Sequence, residues 1–500
     1  MPTKRTRANS KVSAKEDRQS GHNEQQADND NNNKRVKLST EKRLPKRKVA
    51  LMIGYCGMGY SGSQINPQVE TIEGRIFEAL VKAGCVSEDN SESANKVNLQ
   101  RSARTDAGVS AAINLLSIKL ILNPTSLPSG VSLTKHINTF LPTQLRTWAY
   151  TRVTGSFQAR ASCDSRVYEY NLPTYVFLPP KPGTEMAKTI VKNIKNNPSS
   201  TLSPSSLPSL STFWEFLEGG LNMDFKGDLA VKRKWRITPD ILQHLRSCLK
   251  AYEGSHNFHN FTVGKSFKDR NAQRYMIEIT ASDPFIVGDC EWVSLKFHGQ
   301  SFMLHQIRKM VGLVVLVVRS RTPASLLPET YGPHRIHVPK APALGLLLEK
   351  PLFTGYNKKV EQHNLNIDER ESAGREIQEE RRNYITDEDI SSSVEDFKAN
   401  VIRPSMWQEE LKSDVYATWL NFLDVHQGND FTYLNSQGII PPEAILQNAS
   451  KYTADEKSKS TANTTDSAKF LDDDYDVSEE HDLIKKAGGN RGKNDEELEG

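Results

Sequence analysis

The stretch RKVALMIGYCGMGYSG, Arg47–Gly62, decides between two kinds of α/β fold. Gly57-x-Gly59-x-x-Gly62 has the spacing that cradles a dinucleotide pyrophosphate, and the apolar run before it reads as the strand such a site needs. A pyrophosphate site also needs a helix opening at the third glycine, so that backbone N–H groups and the helix dipole face the phosphates. Here the chain continues SGSQINPQ, Ser61–Gln68, where Ser, Asn and Pro67 favour a turn. The next helical pattern, TIEGRIFEALVKAG, begins only at Thr71. The dinucleotide reading therefore fails, and the role of the glycine loop has to come from the segments around it.

Working outward, strand-like and helix-like segments alternate. After the helix from Thr71 come a strand in LLSIKLIL (Leu115–Leu122), a short helix in LTKHINTFLP (Leu133–Pro142), and strands in RTWAYTRVT (Arg146–Thr154) and SRVYEYNLPTYVF (Ser165–Phe177). Residues 179–211, with PPKPG and SSTLSPSSLPSLS, break the pattern as a surface insertion. Alternation resumes with a helix in TPDILQHLRSCLKAYEG (Thr238–Gly254), strands in RYMIEITASDPF and CEWVSLKFHG, and a helix in SFMLHQIRKMVGLVV (Ser301–Val315). A charged run, Asp368–Ile390, precedes SMWQEELKSDVYATWLNFLDVH (Ser405–His426), which reads as one amphipathic helix covering the core. The expected organisation is a basic arm over 1–47, two related α/β halves over 48–178 and 212–357 around the 179–211 insertion, a charged linker and helical extension over 358–430, and an acidic tail over 431–500.

Composition narrows the classes. The 500 residues carry 37% hydrophobic and 25% charged side chains, so a share of the chain is expected to stay disordered. Five cysteines, none in a CxxC pair, lack metal-ligand spacing and fit a reducing compartment. No apolar run reaches membrane-spanning length and no signal-peptide core opens the chain, which predicts a soluble, unsecreted protein without membrane contact. The net charge of +4 hides an asymmetry: residues 1–48 hold 14 Lys+Arg against 6 Asp+Glu, and residues 451–500 hold 8 against 14. The arm ends in KRVKLSTEKRLPKRKVA (Lys34–Ala50), two basic clusters that an import receptor reads as a nuclear localisation signal and that equally suit a nucleic-acid-binding arm or a solvated tail.

Three places could carry chemistry. In LQRSARTDAGVSAA (Leu99–Ala112), Asp106 sits behind two arginines in a loop whose Gly108 permits close backbone approach; a surface turn with a screened ion pair is the bland alternative. In SFMLHQIRKMVG, Ile307, Met310, Val311, Val314 and Val318 recur at helical spacing with Arg308 at the edge of the stripe. Burying Arg308 calls for a carboxylate from another segment, unless it snorkels to water. In SRVYEYNLP, Tyr168, Tyr170 and Arg166 share a strand face, as core residues or, facing a cleft, as a platform for a flat base. His256 and His259 have no third ligand for zinc, and no nucleophile elbow supports a Ser-His-Asp reading.

Taken together, the segments resemble the TruA-type RNA pseudouridine synthases. The likeness runs in order from Val49 to Tyr356 through GYCGMGYSGSQ, ARTDAGVSA, RVYEY, FHGQSFMLHQIRKMVG and APALGLLL. YEGSHNFHNFT and FKANVIRPSMWQEELKSDVYATWLNFL look like the eukaryotic branch. The resemblance implies an α/β (α+β) protein: two ferredoxin-like halves sharing an extended antiparallel sheet, a basic cleft between them, a C-terminal helical extension and disordered tails. It implies that Asp106 is the catalytic aspartate, Arg104 the arginine that extrudes the target base, Tyr168 the ring that stacks on it and Arg308 the partner of the carboxylate. Ser110 departs from the histidine of many bacterial members. It further implies tRNA as substrate, with snRNA and mRNA as candidates, no metal or organic cofactor, and a monomer. Either role open to Asp106, covalent attack or abstraction of a sugar proton, needs it ionised, which neighbouring arginines favour. Two alternatives stay open: an RNA-binding protein or tRNA folding chaperone, and the sister synthase branch acting on the other side of the anticodon stem.

Overall fold

The computed structural model describes residues 44–195, 225–373 and 381–446. Residues 196–211 of the 179–211 insertion, residues 1–43 of the basic arm and residues 447–500 of the acidic tail lie outside the described residues.

VALMIGY does form the strand that its pattern predicts, β1 (Lys46–Tyr55), and it is buried on both faces. Val49, Leu51, Ile53 and Tyr55 enter the main core, while Ala50 and Met52 enter a second core on the opposite face. A continuous apolar run is the pattern of a strand covered on both sides. The remaining strands are β2 (Gln100–Arg101), β3 (Ser110–Ile121), β4 (Leu145–Arg152), β5 (Ser165–Pro173), β6 (Gly254–Asn257), β7 (Gln273–Ala281), β8 (Phe285–Val287), β9 (Cys290–Gly299) and β10 (Leu346–Leu352).

These ten strands make one sheet in the order β4-β1-β3-β10-β5-β9-β7-β6, with β2 on β3 and β8 on β9. The expected antiparallel sheet is mixed at one joint: β10 runs parallel to β3, Leu347 and Leu348 facing Ser110 and Ala111, and antiparallel to β5. That joint positions the site. It sets the start of β3, and the loop leading into it, two strands from Tyr168 on β5.

The helices are α1 (Ile72–Lys82), α2 (Leu133–Asn138), α3 (Glu185–Lys195), α4 (Phe225–Lys234), α5 (Pro239–Lys250), α6 (Gln306–Ser320), α7 (Leu326–Glu329), α8 (Thr354–Ser372), α9 (Ser391–Phe397), α10 (Arg403–Ser413) and α11 (Val415–Val425). α1 opens at Thr71, whose hydroxyl accepts from Gly74 N at 3.3 Å, as the sequence predicts. α6 is buried over its whole length, so Arg308 is not at the edge of an exposed stripe and does not snorkel. Gly312 explains how α6 fits there: a Cβ on it would lie 2.1 Å from the carbonyl oxygen of Pro339.

Four segments differ from the sequence reading. SRVYEYNLPTYVF stops being a strand at Pro173 and tightens into a 3-10 turn over Thr174–Phe177, because its tyrosine, valine and phenylalanine all turn inward. The charged run beyond Tyr356 begins as helix α8 rather than as linker. Ser405–His426 is two helices, since Asp414 takes a left-handed φ of 50°. The break lets Glu410 point inward, accepting from the Tyr175 hydroxyl at 2.7 Å and from Tyr416 N at 3.2 Å. Residues 431–446, grouped with the acidic tail on composition, pack through Phe431, Tyr433, Leu434 and Ala444.

Candidate active site

The glycine loop is a cradle for the loop that carries Asp106. Gly57 N donates to Ser110 Oγ at 3.0 Å, and Gly108 N donates to the Tyr60 carbonyl at 3.3 Å. Ser63 N donates to Thr105 O at 3.1 Å, and Thr105 N returns a bond to Ser63 Oγ at 2.9 Å. A Cβ on Gly57 would sit 2.2 Å from Val109 O, so the two backbones approach as they do only because that residue is glycine. The spacing that imitates a phosphate loop thus binds protein backbone. Ser110, where the family resemblance breaks, is part of the cradle.

Behind the loop, a buried polar network sets its angle. The Tyr55 hydroxyl and Thr105 Oγ1 are 2.9 Å apart, and Asn114 Nδ2 donates to Tyr55 at 3.2 Å and to Ala103 O at 3.0 Å. Ser102 Oγ donates to Asn114 Oδ1 at 2.7 Å. Burial pushes the Tyr55 hydroxyl up to about 12, so it stays a neutral partner. Satisfied networks of this kind fix a single arrangement.

In front of the loop lies a cavity of about 1030 Å³ that brings together Arg104, Asp106, Tyr168 and Arg308, the four residues singled out in the sequence. They sit at different depths. Arg104 is exposed, Asp106 is about one-third exposed at 33%, Tyr168 is 8% exposed, and Arg308 is 3% exposed. Arg308 Nε donates to Ala341 O at 2.7 Å, which anchors the guanidinium at the N-terminal end of α6. Tyr168 meets the Phe302 ring edge-on at a centroid distance of 5.1 Å. Burial holds its hydroxyl well above the usual tyrosine range, with the nearby charge of Asp106 adding to the effect. Its strand neighbour Tyr170 is instead a core residue, donating to Pro342 O at 2.7 Å.

Sequence reasoning missed His305, Arg160 and Arg274 as parts of the wall, and it did not foresee what Arg166 and Arg101 hold. His305 takes a left-handed φ of 60° at the start of α6, and its Nε2 lies 3.9 Å from Asp106 Oδ2. Arg166 joins two segments of the rim, donating from Nη2 to Ser102 O at 2.8 Å and from Nη1 to Gln300 O at 2.9 Å. Arg101 pairs with the buried Glu73 through Nη2 to Oε2 at 2.8 Å, and Arg160 and Arg274 complete the lining. The shared face of Arg166 and Tyr168 was visible as strand parity; the roles of the others arise from segments far apart in sequence. Among the described residues no group of three or more His, Cys, Asp or Glu is placed to hold a metal.

Residues 248–354, which include α6 and Arg308, match the family described as tRNA pseudouridine synthase. Over 438 residues the chain is 41% identical to tRNA pseudouridine synthase 1 of Yarrowia lipolytica, covering 80% of this chain and 79% of that protein. The chain belongs to the tRNA pseudouridine synthase family. A second family member, tRNA pseudouridine synthase 1 of Saccharomyces cerevisiae, is 42% identical over 360 residues, 65% of this chain and 64% of that protein. The mouse pseudouridylate synthase 1 homolog is 34% identical over 388 residues, 77% of this chain and 75% of that protein. As a pseudouridine synthase the chain is an isomerase, and the long alignments extend the likeness well beyond the 248–354 segment to most of the chain.

Proposed function

We propose that the chain converts uridines of tRNA to pseudouridine, with Asp106 as the reacting carboxylate. The observation that carries this reading is the charge pattern of the cavity: among the described residues Asp106 is its one carboxylate, and Arg101, Arg104, Arg160, Arg166, Arg274 and Arg308 line the same space. Arginines suit phosphates, and a lone carboxylate among them is dedicated to chemistry rather than to charge balance.

The isomerisation breaks the C1′–N1 bond, turns the uracil and joins C5 to C1′; the C5 proton leaves to water as the ring regains its double bond, and N1 takes up a proton, so that the product is an isomer of the substrate. Asp106 serves by attacking the substrate covalently or by taking a sugar proton. Arg308, at the floor, orients and balances that carboxylate. Tyr168 offers its ring to the extruded base, and exposed Arg104 enters the space the base leaves. Affinity comes mainly from arginine and lysine contacts to phosphates.

The test is a tRNA transcript carrying tritium at uridine C5. The purified chain should release tritium to water in proportion to the pseudouridine mapped in the same RNA. Tight binding with neither tritium release nor pseudouridine would make the chain a binder or chaperone. The same assay on snRNA and mRNA sets the substrate range. The basic clusters at Lys34–Lys37 and Lys42–Lys48 support nuclear import. Because the second cluster runs into β1 at Lys46, the deletion stops before the strand: removing residues 1–43 should leave the reaction intact and shift the protein out of the nucleus, and a truncated fusion still concentrated there would reject that part.

A further inference from the structure

Leu304 is an anomaly in this cavity. It is 56% exposed, and among the described residues it is the one large, mostly exposed hydrophobic side chain that also lines the arginine-rich space. Nothing in core packing asks for leucine there. Its backbone is nevertheless held firmly: the hydroxyl of buried Thr262 donates to Leu304 O at 3.0 Å. On either side, Met303 N donates to Gln306 Oε1 at 2.9 Å, Gln306 N donates to Met303 O at 3.1 Å, and His305 follows in the left-handed region. A flexible loop would let a leucine fold back onto the core. This turn instead keeps the side chain out in the cavity, next to the residue that faces Asp106.

Depth decides what it meets. Tyr168 at the floor takes the base that has left the helix, whereas an exposed side chain at the rim faces the RNA stack from which the base departed. Extruding a paired uridine leaves an apolar gap between its neighbours, and an aliphatic wedge lowers the cost of opening it. We propose that Leu304 is that wedge: it enters the stack from the β9–α6 turn while Arg104 enters from the loop before β3, so that one apolar and one cationic side chain together hold the duplex open. The proposal rests on the tRNA reaction above and adds a residue that recognises the stacked bases on either side of the target rather than the target itself.

The test compares two transcripts, one with the mapped target uridine paired in its stem and one with the opposing base changed so that the uridine is unpaired. On the paired transcript, Leu304→Ala should lose roughly tenfold to a hundredfold in kcat/KM. On the unpaired transcript it should run close to the unsubstituted protein, because the opening cost has already been met. Leu304→Met, which keeps an aliphatic side chain of similar volume, should work on both. Equal losses on the two transcripts would overturn the wedge in favour of contact with the extruded base, and no loss on either would overturn it outright. Failure of the unsubstituted protein on both transcripts would count against the tRNA reaction itself, and so is distinguishable.

Discussion

The two ends of α6 each bury an arginine, and the two are used differently. Arg319, near the C-terminal end, is locked by Asp424 through Nη1 at 2.6 Å and Nη2 at 3.0 Å, with Nε donating to Leu178 O at 3.1 Å. That fork ties the core helix to the extension helix α11 and commits the guanidinium to a bidentate pair. Arg308, near the N-terminal end, anchors its Nε on Ala341 O and lines the same cavity as Asp106. Equal burial therefore says nothing about function. What separates the residues is whether the guanidinium ends in a closed bidentate pair or in a wall with space beyond it.

Substitution should separate them cleanly. Arg319→Met leaves Asp424 buried without its partner, which should cost about 3–5 kcal/mol of stability. Turnover per folded molecule should hold, and a variant with a normal melting curve would show that the pair is dispensable. Arg308→Met should do the reverse, lowering kcat by roughly 10²–10³ with little change in tRNA affinity. It should also move the acidic limb of the pH–rate profile upward, as a carboxylate does on losing a cation. An unmoved limb would break the contrast between the two ends.

Glu410 sharpens the same contrast from the side of the extension, since it is buried beside tyrosines rather than paired with a cation. Burial raises its carboxyl from 4.5 to about 7. The folded state thus favours the protonated acid, and the stability it contributes is fully present below the unfolded value and lost as pH rises through about 7. The loss is on the order of 3 kcal/mol. Glu410→Gln imitates the protonated form, so melting curves between pH 5 and 8 should flatten in the variant. A slope as steep as before would place the titration elsewhere.

The smallest effects belong to the ring at the floor. Among the described residues the Tyr168 hydroxyl makes no hydrogen bond, so Tyr168→Phe should stay near full activity. Tyr168→Ala should lose the stacking surface, worth about 1–3 kcal/mol or roughly a tenfold to hundredfold fall in kcat/KM. Similar losses in both would assign the role to the hydroxyl.

How much of this could be read in the sequence follows the range of the interactions. The strands, α1 and the apolar face of α6 were legible because periodicity is local, and Asp106, Arg104, Tyr168 and Arg308 were marked by residue type together with family likeness. The cradle under Asp106 was not, because Gly57 and Val109 meet only after β1 and β3 pair. The break at Asp414 was hidden because the apolar pattern carries on across it, while Glu410 turns in to satisfy Tyr175 from a distant segment. The left-handed His305 was hidden for a similar reason: its conformation is fixed by the turn that Gln306 and Thr262 hold, not by its own preference.

In the proposed reaction a single carboxylate does the chemistry while the surrounding arginines hold the RNA. Asp106→Asn tests this most directly, since the amide keeps the shape and cannot act as nucleophile or base. The measurement is paired: tRNA affinity over a series of salt concentrations, and pseudouridine content of the same tRNA after prolonged incubation. Pseudouridine should be absent, while affinity should hold or tighten slightly with an unchanged salt slope, because no phosphate contact has been removed. Substantial modification by the Asn variant, or a collapse of binding, would contradict the assignment of Asp106 as the reacting group.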